Sequence, residues 1–258
     1  MKKIATLIIL ILNFHLLISQ IQTSSYLIDS SNYASIRNRI KDQTFFITLD
    51  STNIAAYQRR QELEYQIMDY KAALKDVNHI MSLSPKYTGV YGARGMCYCF
   101  LKEYDKALAD FDKQIELEPN EARNYLNRAF GKSENKNFEG AISDLSIAIS
   151  MNPTYAKAYC NRGFAKKELE KYQEAMLDYN KAIELNSAYT EAYMNRGYAN
   201  FMLHNYDAAI ADYTKFMELA PGYGNYKFYE LVAQAYEKKG DKANAKIYYD
   251  EALKYPKE

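Results

Sequence analysis

The chain has 258 residues, 48% hydrophobic and 25% charged, the composition of an ordinary globular protein. Its 33 basic and 32 acidic residues leave a formal charge of +1 with no basic stripe, which argues against a protein that earns its affinity by neutralising nucleic-acid phosphates. Three cysteines, an odd number, cannot form a closed disulfide framework.

Met1 to Ser19 begins with Lys2 and Lys3, runs through an apolar stretch from Ile4 to Ile18 and ends on a small residue. That order predicts a secretory signal peptide over residues 1–19. The apolar stretch is broken by Asn13 and His15 and falls short of the roughly 20 residues that a membrane span needs. Stable membrane insertion is therefore not expected once the signal is cleaved. Residues 20–53 form a separate, non-repeating segment. It holds a short helix near Tyr33 to Ile40, a β-like run from Phe45 to Leu49, and candidate helix N-caps from Asp50 to Asn53.

From residue 54 the sequence repeats. Tyr57, Tyr91, Tyr125, Tyr159 and Tyr193 are spaced 34 apart by subtraction, and Pro85, Pro119 and Pro153 keep the same step. Ser187 stands where the next proline falls, and Pro221 and Pro256 follow. A period in this range marks stacked supersecondary units. Six units begin at residues 54, 88, 122, 156, 190 and 226, and each reads as two helices, A and B. In the fourth, helix A is expected from Ala156 to Leu169 and helix B from Tyr172 to Leu185. Small residues recur where the two must touch: Gly95, Ala129, Gly163, Gly197 and Ala233 on helix A, and Ala73, Ala107, Ala141, Ala175, Ala209 and Ala245 on helix B. Phe111, Leu145, Tyr179, Tyr213 and Tyr249 lie one turn beyond the helix B alanine on the same face.

Two polar ladders follow the period. Arg60, Arg94, Arg128, Arg162 and Arg196 hold the seventh position of the first five units, and Asp76, Asp110, Asp144, Asp178 and Asp212 the twenty-third. The sixth unit has Val232 and Tyr248 there, so both charges are lost together, as expected of structural ion pairs. Asn127, Asn161 and Asn195 each precede one of the arginines, and Phe130, Phe164 and Tyr198 follow three residues later on the same helical face. An asparagine offers donors and an acceptor together, so a row of them suits the backbone of an extended peptide. Leu126, Cys160 and Met194 flank the asparagines as an apolar border.

This pattern of aromatic, small, alanine and proline positions resembles the tetratricopeptide repeat family. The resemblance implies an all-α fold, a right-handed superhelical solenoid of six helix pairs over residues 54–258, whose A helices line a concave groove. It further implies a protein or peptide partner. The expected groove residues are Asn127, Asn161, Asn195, Phe130, Phe164, Tyr198 and Met194. Family members that clamp acidic chaperone tails use groove lysines and arginines. Here Gly92, Ala93, Met96, Leu126 and Cys160 stand in those places, and Arg123 and Lys157 alone do not make that clamp.

The expected function is that of an exported, monomeric interaction adaptor, periplasmic or secreted if bacterial. The alternative is a structural subunit of an envelope or secretion assembly that uses its convex face or its ends. No nucleophile with a base, phosphate loop or metal-ligand cluster is visible, so neither an enzyme nor a cofactor is expected. Cys97 and Cys99 are two apart on a predicted helix without a nearby histidine and read as small core residues.

Overall fold

The computed structural model describes residues 30–221 and 225–255. The expected signal over residues 1–19, and Pro256, lie outside the described residues. Thirteen helices and no strand occur among those that are described. Two compact bodies divide the chain, the first through Glu103 and the second from Tyr104.

In the first body α1 spans Ser30–Leu49, α2 Ile54–Gln66, α3 Tyr70–Leu83 and α4 Gly89–Phe100. Helices α2 and α3 form the first repeat, and Tyr57, Val77, Ile80 and Val90 pack as its core with Ile47 of α1 against them. The β-like reading of Phe45 to Leu49 is corrected here, because these residues are the last turns of α1. Aromatic and β-branched side chains favour strands only weakly. Packing of Ile47 on the core, and hydroxyl bonds from Thr44 to the Ile40 carbonyl (2.9 Å) and from Thr48 to that of Phe45 (2.6 Å), fit the run to a helix instead.

The second body begins with α5 (Tyr104–Leu117). Four helix pairs follow: α6 and α7 (Ala122–Glu134, Phe138–Met151), α8 and α9 (Ala156–Glu168, Tyr172–Leu185), α10 and α11 (Thr190–Met202, Tyr206–Leu219), and α12 and α13 (Asn225–Lys239, Lys242–Ala252). Within this body α7, α9, α11 and α13 each pack on the A helix of their own pair, and α5, α7, α9 and α11 also on the A helix that follows. The interior is layered to match: Leu126, Ala129, Ala141, Leu145 and Ala148 form one layer, and Cys160, Ala175, Tyr179, Ala182 and Ala192 the next. Layer thickness is set by paired choices of residue size. A Cβ on Gly163 would stand 2.7 Å from Tyr179 Cε1, and one on Gly197 the same distance from Tyr213 Cε1. Glycine is thus required opposite tyrosine, whereas Ala129 is accommodated opposite Leu145.

Every turn from helix A to helix B has one geometry. In the fourth repeat the Glu170 N–H donates to the Lys167 carbonyl and the Lys171 N–H to that of Lys166, both at 2.9 Å, and Glu170 has a φ of 59°. This is the double-bonded helix ending that glycine usually occupies. Met68, Lys102, Lys136 and His204 take the same left-handed backbone at the equivalent positions, and only the last repeat has glycine there, Gly240. Because the other five are not glycine, the turns carry no glycine signal in the sequence.

Candidate functional site

The A helices of the third to fifth repeats, α6, α8 and α10, touch one another in order. They present the seventh-position arginines and the asparagine that precedes each. The arginines are committed internally. Arg128, Arg162 and Arg196 each grip the aspartate of their own repeat through Nε and Nη2, at 2.8 and 2.7 Å for Asp144, 3.0 and 2.6 Å for Asp178, and 3.0 and 2.6 Å for Asp212. Arg60 does the same to Asp76 at 2.7 Å. The remaining nitrogen, Nη1, reaches the preceding B helix: Asp112 for Arg128 (2.7 Å), Ser146 for Arg162 (3.2 Å) and Asn180 for Arg196 (2.7 Å). One side chain thereby pins an A helix both to its own partner and to the repeat before it.

The aspartates are buried and need more than one donor. Lys132 supplies it to Asp144 at 2.8 Å, Lys166 to Asp178 at 2.9 Å and Asn200 to Asp212 at 3.0 Å. These residues all hold the eleventh position, whose polar character is visible in the sequence once the aspartate is known to be inside.

The three asparagines divide into two kinds. Asn127 and Asn161 are half-buried, and among the described residues their side chains form no hydrogen bond. Asn195 is only 5% exposed; its Nδ2 donates to the Glu191 carbonyl at 2.8 Å, and its Oδ1 accepts from Lys167 Nζ at 3.2 Å. Met194, with Leu126 and Cys160, lies inside the core rather than along the surface. The aromatics Phe130, Phe164 and Tyr198 are half-buried. Phe164 meets Phe138 edge-on with ring centres 6.5 Å apart, and Tyr198 meets Tyr172 at 6.2 Å, so both bridge neighbouring repeats.

The thiols of Cys97 and Cys160 are buried, which pushes the first up to about 12 and raises the second as well. Among the described residues no group of three His, Cys, Asp or Glu side chains is placed to hold a metal ion. No described helix is long and apolar enough to cross a membrane.

Models of the tetratricopeptide repeat match residues 88–121, 156–189, 190–223 and 226–258, together just over half of the chain. The chain belongs to the tetratricopeptide repeat family. Solved structures agree on the fold. The crystal structure of MamA protein is 27% identical, with 65% of this chain and 90% of that chain covered at a TM-score of 0.59. A tetratricopeptide repeat protein from Parabacteroides merdae ATCC 43184 is 22% identical, with 81% and 86% covered and a TM-score of 0.67. YrrB, described as a TPR protein with an unusual peptide-binding site, is 16% identical over 76% of this chain and 97% of that chain, at a TM-score of 0.52. No curated protein matches the chain. Tetratricopeptide repeats build scaffolds for protein interaction, and on the polar face of α6 and α8 this repeat protein carries two asparagines, Asn127 and Asn161, whose side chains form no hydrogen bond among the described residues.

Proposed function

We propose that this repeat protein is an exported adaptor that holds an extended segment of a partner protein along the groove face of its A helices. Asn127 and Asn161 carry the reading. They are half-buried, form no hydrogen bond among the described residues, and sit at the same position of adjacent repeats beside arginines that are locked in place. A peptide backbone laid across α6 and α8 would find an amide donor and acceptor at each. Phe130, Phe164 and Tyr198 would border it as apolar surface, and Asn195 would join only by giving up its present bonds. Export rests on the basic and apolar start of the sequence, and intact mass of the protein from its native host tests it. A mature mass lacking about the first 19 residues is expected; a full-length mass in the membrane fraction would refute cleavage. The groove is tested by capturing the native partner on the wild-type protein and repeating the capture with Asn127→Ala/Asn161→Ala. Undiminished binding would move the contact to the other face or the ends, as in a structural subunit.

A further inference from the structure

Lys167, at the end of α8, is only 3% exposed. Its ammonium stands 4.5 Å from the centre of the Phe164 ring and 5.4 Å from that of Tyr198. Glu168 Oε1 lies 3.0 Å away and Asn195 Oδ1 3.2 Å away. Two aromatic faces, a carboxylate and an amide oxygen are the groups that recognise an alkylammonium ion, and here they converge on one point. Four of the four residues come from the A helices α8 and α10, on the face that carries Asn161. The other repeats have Tyr65, Cys99, Ser133, Phe201 and Glu237 at the position of Lys167, so no other repeat places a cation there.

We infer that Phe164, Tyr198, Glu168 and Asn195 form a binding site for the primary ammonium of a lysine side chain in the partner, which Lys167 fills while the groove is empty. The inference rests on the groove reading above and names one side chain of its ligand. Exchange is physically balanced, because one ammonium replaces another beside the Glu168 carboxylate. Burial lowers the Lys167 ammonium, partly against Glu168, so this side chain regains hydration on release. Its four-carbon stem lets it swing out without moving α8. A neutral or acidic side chain entering the same place would bring no positive charge to Glu168 and the two aromatic faces, which gives the site its selectivity.

The test uses the peptide acetyl-Ala-Ala-Lys-Ala-Ala-amide and its glutamine counterpart. Lys167→Ala empties the site and should bind the lysine peptide about tenfold or more tightly than the glutamine one, followed by tyrosine fluorescence. Lys167→Ala/Glu168→Gln should lose that preference. In the wild-type protein, amine acetylation read by mass spectrometry should modify Lys167 far more slowly than exposed Lys157, and saturating lysine peptide alone should speed it. Equal binding of the two peptides by a folded Lys167→Ala protein overturns the inference; if that variant does not fold, unchanged Lys167 acetylation in the wild type does so. These outcomes read the cation site alone, whereas native-partner capture by the Asn127 and Asn161 variant reads the groove, so either can fail without the other.

Discussion

Arg60 Nη1 donates to Thr44 Oγ1 at 3.1 Å, which ties the first repeat to α1 in the way that Arg94 Nη1 is tied to Asn78 at 3.4 Å. Thr44 precedes Asn78 by one repeat length. The likeness extends along the helix. Helix α1 ends at Leu49, one repeat length before the end of α3 at Leu83. Asp50 Oδ1 then accepts from the N–H and hydroxyl of Thr52 at 2.9 and 2.7 Å, as Asn152 does from Thr154 at 3.1 and 2.8 Å. The second half of α1 is therefore a B helix that precedes the first full repeat. Its outward face departs from the repeat where a partner A helix would press: Arg39 replaces the helix B alanine, and Asp42 and Phe46 are exposed where Asp76 and Ile80 are buried. Arg39 and Asp42 make this face more polar than the matching face of α3, while Phe46 leaves an apolar side chain exposed on it.

The ladder predicts which charges are coupled. Arg162→Ala and Asp178→Ala should each destabilise, and the double variant should cost less than the sum by about 1 to 3 kcal/mol, because neither charge is left unpaired. Arg162→Ala with Asp144→Ala should add, since Arg162 binds the aspartate of its own repeat. Urea unfolding of the wild type, the three single and the two double variants measures both terms, and coupling to Asp144 rather than Asp178 would contradict the geometry.

The repeat period made the pairs of helices, their alanine contacts and the Arg and Asp partnership legible, because a 34-residue period repeats each signal several times over. Single occurrences were harder to read. The helical end of α1 was hidden by Phe45, Phe46 and Ile47, whose local preference opposes it, and its kinship to a B helix lies in Thr44, Asp50 and Leu49 rather than in alanine or proline. Likewise the row of asparagines looked uniform. The side chain of Lys167, unique to one repeat, and a bond to the Glu191 carbonyl separate Asn195 from Asn127 and Asn161, and nothing in the asparagines themselves announces that.

Glu64 should make the first repeat sensitive to pH. It holds the eleventh position, where Lys132, Lys166 and Asn200 donate to the ladder aspartate in later repeats. Its Oε2 is buried without a hydrogen bond, and its Oε1 lies 3.8 Å from Arg60 Nε. Burial first, then the nearby Asp76 charge, raise its carboxyl from 4.5 to about 7; Arg60 and Lys75 oppose this, and Asp69 adds to it. The folded value lies above the unfolded one, so the folded state holds the proton longer. Its stabilising contribution is complete below about 4.5 and is lost as pH rises through about 7. Urea midpoints for the wild type should fall between about pH 5 and 8.5, while Glu64→Gln, which stays neutral and offers Asp76 a donor, should flatten that fall. An equal slope in the variant would assign the dependence elsewhere.

Two buried hydroxyls should be expendable. Tyr179 and Tyr213 are fully buried, and neither Oη has a hydrogen-bond partner. Their rings do the packing, Tyr213 against Gly197 and edge-on to Phe228 with centres 6.4 Å apart. Tyr213→Phe keeps the ring and removes an unpaired polar group, so thermal or urea unfolding should show a gain of about 1 to 3 kcal/mol. Phe111 and Leu145 already fill the same repeat position without a hydroxyl. A clear loss of stability would show that the hydroxyl is bonded in solution.

The asparagines should separate binding from folding. Asn195→Ala removes the amide that accepts from Lys167 and donates to the Glu191 carbonyl, and bonds to charged groups contribute about 1.5 to 3 kcal/mol. That variant should unfold at visibly lower urea. Asn127→Ala/Asn161→Ala breaks no bond among the described residues and should stay within about 0.5 kcal/mol of the wild type, as surface changes usually do. Partner affinity should respond in the opposite order. Each of the two free asparagines can make one or two bonds to a peptide backbone at about 0.5 to 1.5 kcal/mol apiece, which together is about tenfold or more in affinity. Phe164→Ala is a poorer probe, because the ring touches both Phe138 and the Lys167 ammonium and its loss would blur the two effects. Titration of captured partner against the double variant, beside its unfolding curve, gives both numbers. Weakened binding with unchanged stability places the partner on α6 and α8; unchanged binding with Asn195→Ala defective would instead put it on the α10 side of the groove.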